Sequence, residues 1–121
     1  ASKAAELADE FAGFGQLKPH GCGLAELAGQ RFDVVINATS ASLSDAAPDL
    51  PAGLYAPGSL AYDMMYGKGD TPFLRSARAQ GAAHLSDGLG MLVEQAAESF
   101  TLWRGVRPAT APVLALLRAS L

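Results

Sequence analysis

Asp33-Val34-Val35-Ile36-Asn37-Ala38-Thr39-Ser40 decides the fold. Three apolar β-branched residues follow one another without polar alternation, the pattern of a parallel strand buried on both faces. The run passes straight into Asn, Ala, Thr and Ser, small and hydroxyl residues that suit a turn. Ligands of open α/β sheets bind beyond the carboxyl ends of such strands. Upstream, Ala4, Leu7, Ala8, Phe11 and Phe14 recur at helical spacing, and Gly13 and Gly15 end the pattern. Gln16 to Pro19 read as a short strand and Leu24 to Ala28 as one or two helical turns. Downstream, Pro48, Pro51 and Pro57 with Gly53 predict a long loop over Ala41 to Pro57. Leu60 to Met64 read as a second strand. Asp70 or Thr71 caps a helix that Pro72 begins and Gly81 ends. Ala82 to Leu85 read as a third strand. Gly88 to Trp103 form the longest helix, stopped by Gly105 and Pro108, and Pro112 to Ser120 a last one. Alternating strands and helices imply right-handed crossovers and a mostly parallel sheet.

Bulk properties narrow the function classes. Half of the 121 residues are hydrophobic and 17% are charged, so the chain can build a core. A net charge of -3 with scattered Arg and Lys gives no basic patch, so no nucleic-acid partner is expected. The single Cys22 excludes an internal disulfide and suits a reducing, cytoplasmic setting. No apolar run approaches the ~20 residues of a membrane helix, and no signal peptide is recognisable, so no membrane association is expected. The chain starts at Ala1 without Met, and Ser2 to Phe14 already read as a helix body. A trimmed or truncated product is therefore the expectation.

The polar residues inside apolar surroundings carry the chemistry. Gly13-x-Gly15, Gly21-x-Gly23 and Gly88-x-Gly90 each lack the third Gly of a dinucleotide fingerprint, and none is a P-loop. Asn37-Ala38-Thr39-Ser40 reads either as an Asx/ST turn or as a place where backbone approaches a ligand. Tyr62-Asp63-Met64-Met65-Tyr66 ends the second strand. Its Met and Tyr residues either fill core or offer a polarizable thioether and a hydroxyl to a flat ligand. Asp63 reads as a residue that orders the loop after it. Asp87-Gly88-Leu89-Gly90 opens a helix: Asp87 as an N-cap, with the bare Gly88 able to let a flat ring approach. Gln95 shares a face with Met91 and Leu102 on a helix apolar nearly all round, where an amide must find a partner, in local backbone or in a ligand. His20 and His84 lack metal-like spacing, and Cys22 has no nearby base pattern. No metal site is expected.

Together with Thr71-Pro72-Phe73-Leu74, Met91-Leu92-Val93-Glu94-Gln95-Ala96-Ala97 and Trp103-Arg104-Gly105-Val106-Arg107-Pro108, these motifs closely resemble shikimate dehydrogenase. The resemblance runs from about Ser2 to Leu117 and corresponds to the C-terminal part of that enzyme. Two positions depart from the family pattern: Ser42 stands where Gly is usual and Lys68 where Pro is common. The implied fold is α/β: the second half of a doubly wound, Rossmann-like parallel sheet with C-terminal helices. Residues 1–121 would be the C-terminal part of an NADP-binding domain, with 88–121 as helices closing the interdomain cleft. The N-terminal substrate and catalytic domain, the Gly-rich phosphate loop and the segment that grips the NADP 2′-phosphate would lie upstream.

The implied activity is NADPH-dependent reduction of 3-dehydroshikimate to shikimate in the chorismate route to aromatic amino acids. The resemblance assigns Asn37, Ala38, Thr39, Ser40, Met64 and Gly88 to the cofactor, and Tyr66 and Gln95 to the substrate. No catalytic residue falls in this chain, because the family's Lys/Asp pair has no match here. Expected partners are shikimate or 3-dehydroshikimate, the N-terminal domain of the same enzyme, and self-association. A quinate/shikimate dehydrogenase paralogue, or a non-catalytic binding or assembly module built on this fold, is the alternative. Alone, the chain should not turn over.

Overall fold

The computed structural model describes residues 2–39 and 46–121. It divides into two compact units, Ala1–Arg31 with Asp49–Leu54, and Phe32–Pro48 with Tyr55–Leu121.

The first unit holds helix α1 (Ser2–Phe11) and a single 3-10 turn at Leu24–Leu27. The α1 face formed by Ala4, Leu7, Ala8 and Phe11 lines a cleft with the segment from Pro19 to Cys22. Gly21 makes the close approach: a Cβ there would lie 2.0 Å from the Ala4 carbonyl oxygen. Gln16 to Pro19, expected as a strand, take part in no ladder, so nothing holds them as one.

The second unit is an α/β layer. Strands β1 (Phe32–Asn37), β2 (Tyr55–Asp63) and β3 (His84–Ser86) lie in that order, all parallel. Helix α2 (Pro72–Ala79) links β2 to β3 and packs on both. Helices α3 (Leu89–Arg104) and α4 (Ala111–Ser120) follow and pack on each other. The α2 start is fixed by chemistry legible beforehand. Thr71 is the N-cap, its hydroxyl accepting from Leu74 N–H at 3.3 Å, and Pro72 follows inside the helix. Asp70, the other candidate cap, instead pairs with Arg78 at 2.6 Å. Ala61 on β2 and Phe73, Leu74 and Ala77 on α2 are buried, and burial of a Phe or Leu contributes on the order of 2 kcal/mol. Along α3, Leu89, Val93 and Ala97 form the buried stripe at four-residue spacing.

Two sequence expectations change here. Strand β2 starts at Tyr55, inside the predicted loop. The ladder pairs Phe32 with Tyr55 and then Val34 with Leu60, so β2 carries three extra residues. Pro57 and Gly58, the latter at φ 80°, occupy this irregularity, where a missing N–H and a left-handed turn are tolerated. Strand β1 is not buried on both faces: Val34 and Ile36 are 52% and 56% exposed. It is an edge strand, and no described element covers the face these two residues share. Among the described residues, no helix is long and apolar enough to cross a membrane.

Candidate functional site

The carboxyl ends of β1 and β2 lie side by side, with Asn37 paired to Asp63 in the ladder. Directly paired residues on neighbouring strands project to the same face, and these two side chains meet. Asp63 is fully buried. Its Oδ1 accepts from Asn37 Nδ2 at 3.1 Å and from Met65 N–H at 3.1 Å, and its Oδ2 accepts from Thr71 Oγ1 at 2.5 Å. One carboxylate thus joins the end of β1, the loop after β2 and the cap of α2. Several directed donors are what a buried polar group requires. The expectation that Asp63 orders the following loop agrees with this geometry, and the structure extends its reach to β1 and α2.

Asn37 is likewise committed within the protein. Its Oδ1 accepts from Thr39 N–H at 3.1 Å and Thr39 Oγ1 at 2.7 Å, and its carbonyl accepts from Met64 N–H at 3.0 Å. The Asx-turn reading is therefore realised here. Asn37 builds the turn, and Ala38 and Thr39 are left at the surface. Ser40, also expected at the cofactor, lies outside the described residues.

Beyond the turn, the β2 exit loop presents Met64 and Tyr66, both 41% exposed. Each was open to a core-filling reading, and neither side chain fills core. The α3 start comes to the same place. Gly88 N–H donates to the Met65 carbonyl at 3.0 Å, and a Cβ on Gly88 would fall 2.0 Å from the Met64 carbonyl oxygen. This gives a structural reason for a glycine there: the missing side chain makes room for the Met64 backbone. Asp87 does not sit at the N-cap position, which Gly88 takes; it caps from one residue earlier, accepting from Leu89 N–H at 3.2 Å. Arg118 beside it holds the Asp87 carboxyl below the usual carboxylate range, outweighing the opposing effect of burial.

Gln95 follows Gly88 by seven residues, roughly 10 Å along the helix axis at 1.5 Å per residue. It is exposed, as are Met91 and Leu102, so the face they share is not packed against the described residues. Its side-chain amide has no hydrogen-bond partner among the described residues. The local-backbone alternative is therefore not realised, and the amide is available to a ligand. Met64 and Tyr66 follow the carboxyl end of β2, Gly88 packs against Met64 where α3 starts, and Gln95 lies two turns further along α3. Thioether, phenol, backbone and amide groups can bind and orient a ligand. Among the described residues, no group of three or more His, Cys, Asp or Glu could hold a metal.

Sequence reasoning missed two couplings, Asn37–Asp63 and Asp87–Arg118. The first was available in principle from aligning the two strand ends. The second spans 31 residues and has no local signal.

Residues 88–118 match the family model for the Shikimate 5'-dehydrogenase C-terminal domain. A shikimate dehydrogenase (NADP(+)) from Dechloromonas aromatica is 66% identical over all of this chain, which spans 43% of that protein. Another from Aromatoleum aromaticum is 70% identical over 83% of the chain and 36% of the relative. Among solved structures, an Ael1 enzyme from Pseudomonas putida superposes with a TM-score of 0.82 at 52% identity, covering 96% of this chain and 42% of that one. The shikimate 5-dehydrogenase of Thermus thermophilus, solved in complex with shikimate, gives 0.72 at 29% identity, covering 98% and 41%. The chain spans less than half the length of the curated relatives it matches.

Proposed function

Because this chain belongs to the shikimate dehydrogenase family, we propose that the whole protein reduces 3-dehydroshikimate to shikimate with NADPH, and that these residues form one wall of the reaction cleft. The observation that carries this reading is the meeting of Met64 and Gly88 at the start of the helix whose exposed face carries Gln95. The bound dinucleotide supplies the hydride. The task of this chain is orientation, which lowers the barrier by holding reactants in attack geometry. Met64 offers a soft apolar surface to the nicotinamide, with Gly88 contributing backbone alongside. Ala38 and Thr39 lie in the turn over which the cofactor passes, and Asn37 holds that turn in shape. Tyr66 and Gln95 point hydrogen-bonding groups at a polyhydroxylated ring. Residues 88–121 are the helices that close the cleft toward the substrate domain. Proton transfer falls to the Lys/Asp pair that the family resemblance places in the N-terminal domain, neither member of which has a match among these residues. The soluble, cytoplasmic setting inferred from the sequence fits this chemistry.

The test is steady-state assay of the full-length protein with shikimate and NADP, and in parallel with quinate and with NAD. Reduction of NADP that depends on shikimate and exceeds the quinate rate is the expected result. Preference for quinate would support the paralogue instead, and no reduction of either nucleotide a binding or assembly module.

A further inference from the structure

Asp87 joins the start of one helix to the end of another. Its Oδ2 accepts from Arg118 Nη1 at 2.6 Å and its Oδ1 from Arg118 Nη2 at 2.7 Å, while Oδ1 also accepts from Leu89 N–H at the first turn of α3. Arg118 lies in the last turn of α4. The Asp87 side chain is only 9% exposed, whereas the Arg118 side chain is about half in water. A guanidinium fork on a carboxylate fixes distance and plane together, which a point charge does not. The residue after Asp87 has no slack either, since Gly88 is packed against the Met64 carbonyl without room for a single methyl group. A shift of Asp87 is therefore passed to the contact between α3 and the β2 exit loop.

We propose that Arg118 is a positioning residue: through Asp87 it makes α4 a brace that holds the first turn of α3 against Met64, and so keeps Met64, Gly88 and Gln95 in register. The proposal rests on the reading of that wall given above. An ion pair serving stability alone would leave ligand constants unmoved when broken. A brace would not, because Gly88 and Met64 would lose their fixed relation.

The experiment uses the full-length protein with Arg118→Ala, Arg118→Lys, Asp87→Asn and the Asp87→Asn/Arg118→Ala pair. Arg118→Ala should raise the KM for NADP roughly fivefold, the order a half-solvated ion pair can transmit, with kcat changing less. Arg118→Lys, which keeps the charge, should restore part of this, and it serves where the alanine variant does not fold. The double variant should be no worse than Asp87→Asn alone. Amide exchange at Leu89 to Leu92 should quicken in each variant. Lowered thermal stability with unchanged NADP KM and unchanged exchange would overturn the proposal, as would strictly additive effects. If the unmodified protein does not reduce NADP with shikimate, the reading of the wall fails separately. Exchange then decides the brace by itself, faster in Arg118→Ala upholding it and unchanged overturning it.

Discussion

Asp63 concentrates at one residue what the site depends on. It is buried, and it accepts from Asn37, Met65 and Thr71, three groups on three segments. Removing it would strand the Asn37 amide and the Met65 N–H, each at a cost of about 1–3 kcal/mol. Asp63→Ala in the full-length protein is therefore expected to lose about 3 kcal/mol or more of stability in urea titrations; a loss under ~1 kcal/mol would show that the junction tolerates open donors. Gly88 makes a second residue-scale case. Gly88→Ala places a methyl 2.0 Å from the Met64 carbonyl, so the loop must move, at a typical cost of about 1–3 kcal/mol for overpacking. Melting and NADP titration on one sample should show both stability and affinity falling. An unchanged melt would mean that the α3 start is not packed as described. The type of each of these residues was legible in the sequence. The work each does was not, because a hydrogen bond between strand ends and a backbone contact across a loop have no sequence period.

At the scale of elements, punctuation was the reliable signal. Thr71 with Pro72, Gly81 at φ 94° and Gly105 at φ 70° mark helix ends through local stereochemistry that needs no partner. Elements that depend on partners were less legible. Gln16 to Pro19 have strand-like residues and no ladder. Tyr55 to Gly58 looked like loop and are held by pairing around an irregularity. The burial of β1 was overread from composition, since β-branched residues do not reveal whether a strand is central or at an edge. The α3–α4 junction carries a pH prediction. Arg118 depresses the Asp87 carboxyl, so the contribution of the pair is complete above the ordinary carboxylate pKa, near 4, and is lost as pH falls through the lowered folded value. Urea titrations of the full-length protein should therefore separate wild type from Arg118→Ala by about 0.5–1 kcal/mol from pH 5 to 7, with the gap closing below about pH 4. A gap that widened in acid would contradict the pairing.

For the molecule as a whole, the architecture followed from alternation of strands and helices, and the family from the resemblance of its motifs, Asn37 to Ser40, Tyr62 to Tyr66 and Asp87 to Ala97 among them, to shikimate dehydrogenase. What the chain does alone is a separate matter. The family's Lys/Asp pair has no match among its residues, and its glycines form no dinucleotide fingerprint. The 121 residues by themselves are expected to show no shikimate-dependent NADP reduction even at high protein concentration; turnover that survives repurification would contradict this. The central claim is that this wall binds substrate through an amide left free for it. The most direct measurement is the pair of Michaelis constants of full-length Gln95→Ala. The KM for shikimate should rise roughly tenfold, about 1.4 kcal/mol for one hydrogen bond to a buried hydroxyl, while the KM for NADP stays within twofold or so of wild type. An unchanged shikimate KM, or an equal rise in both constants, would contradict the account.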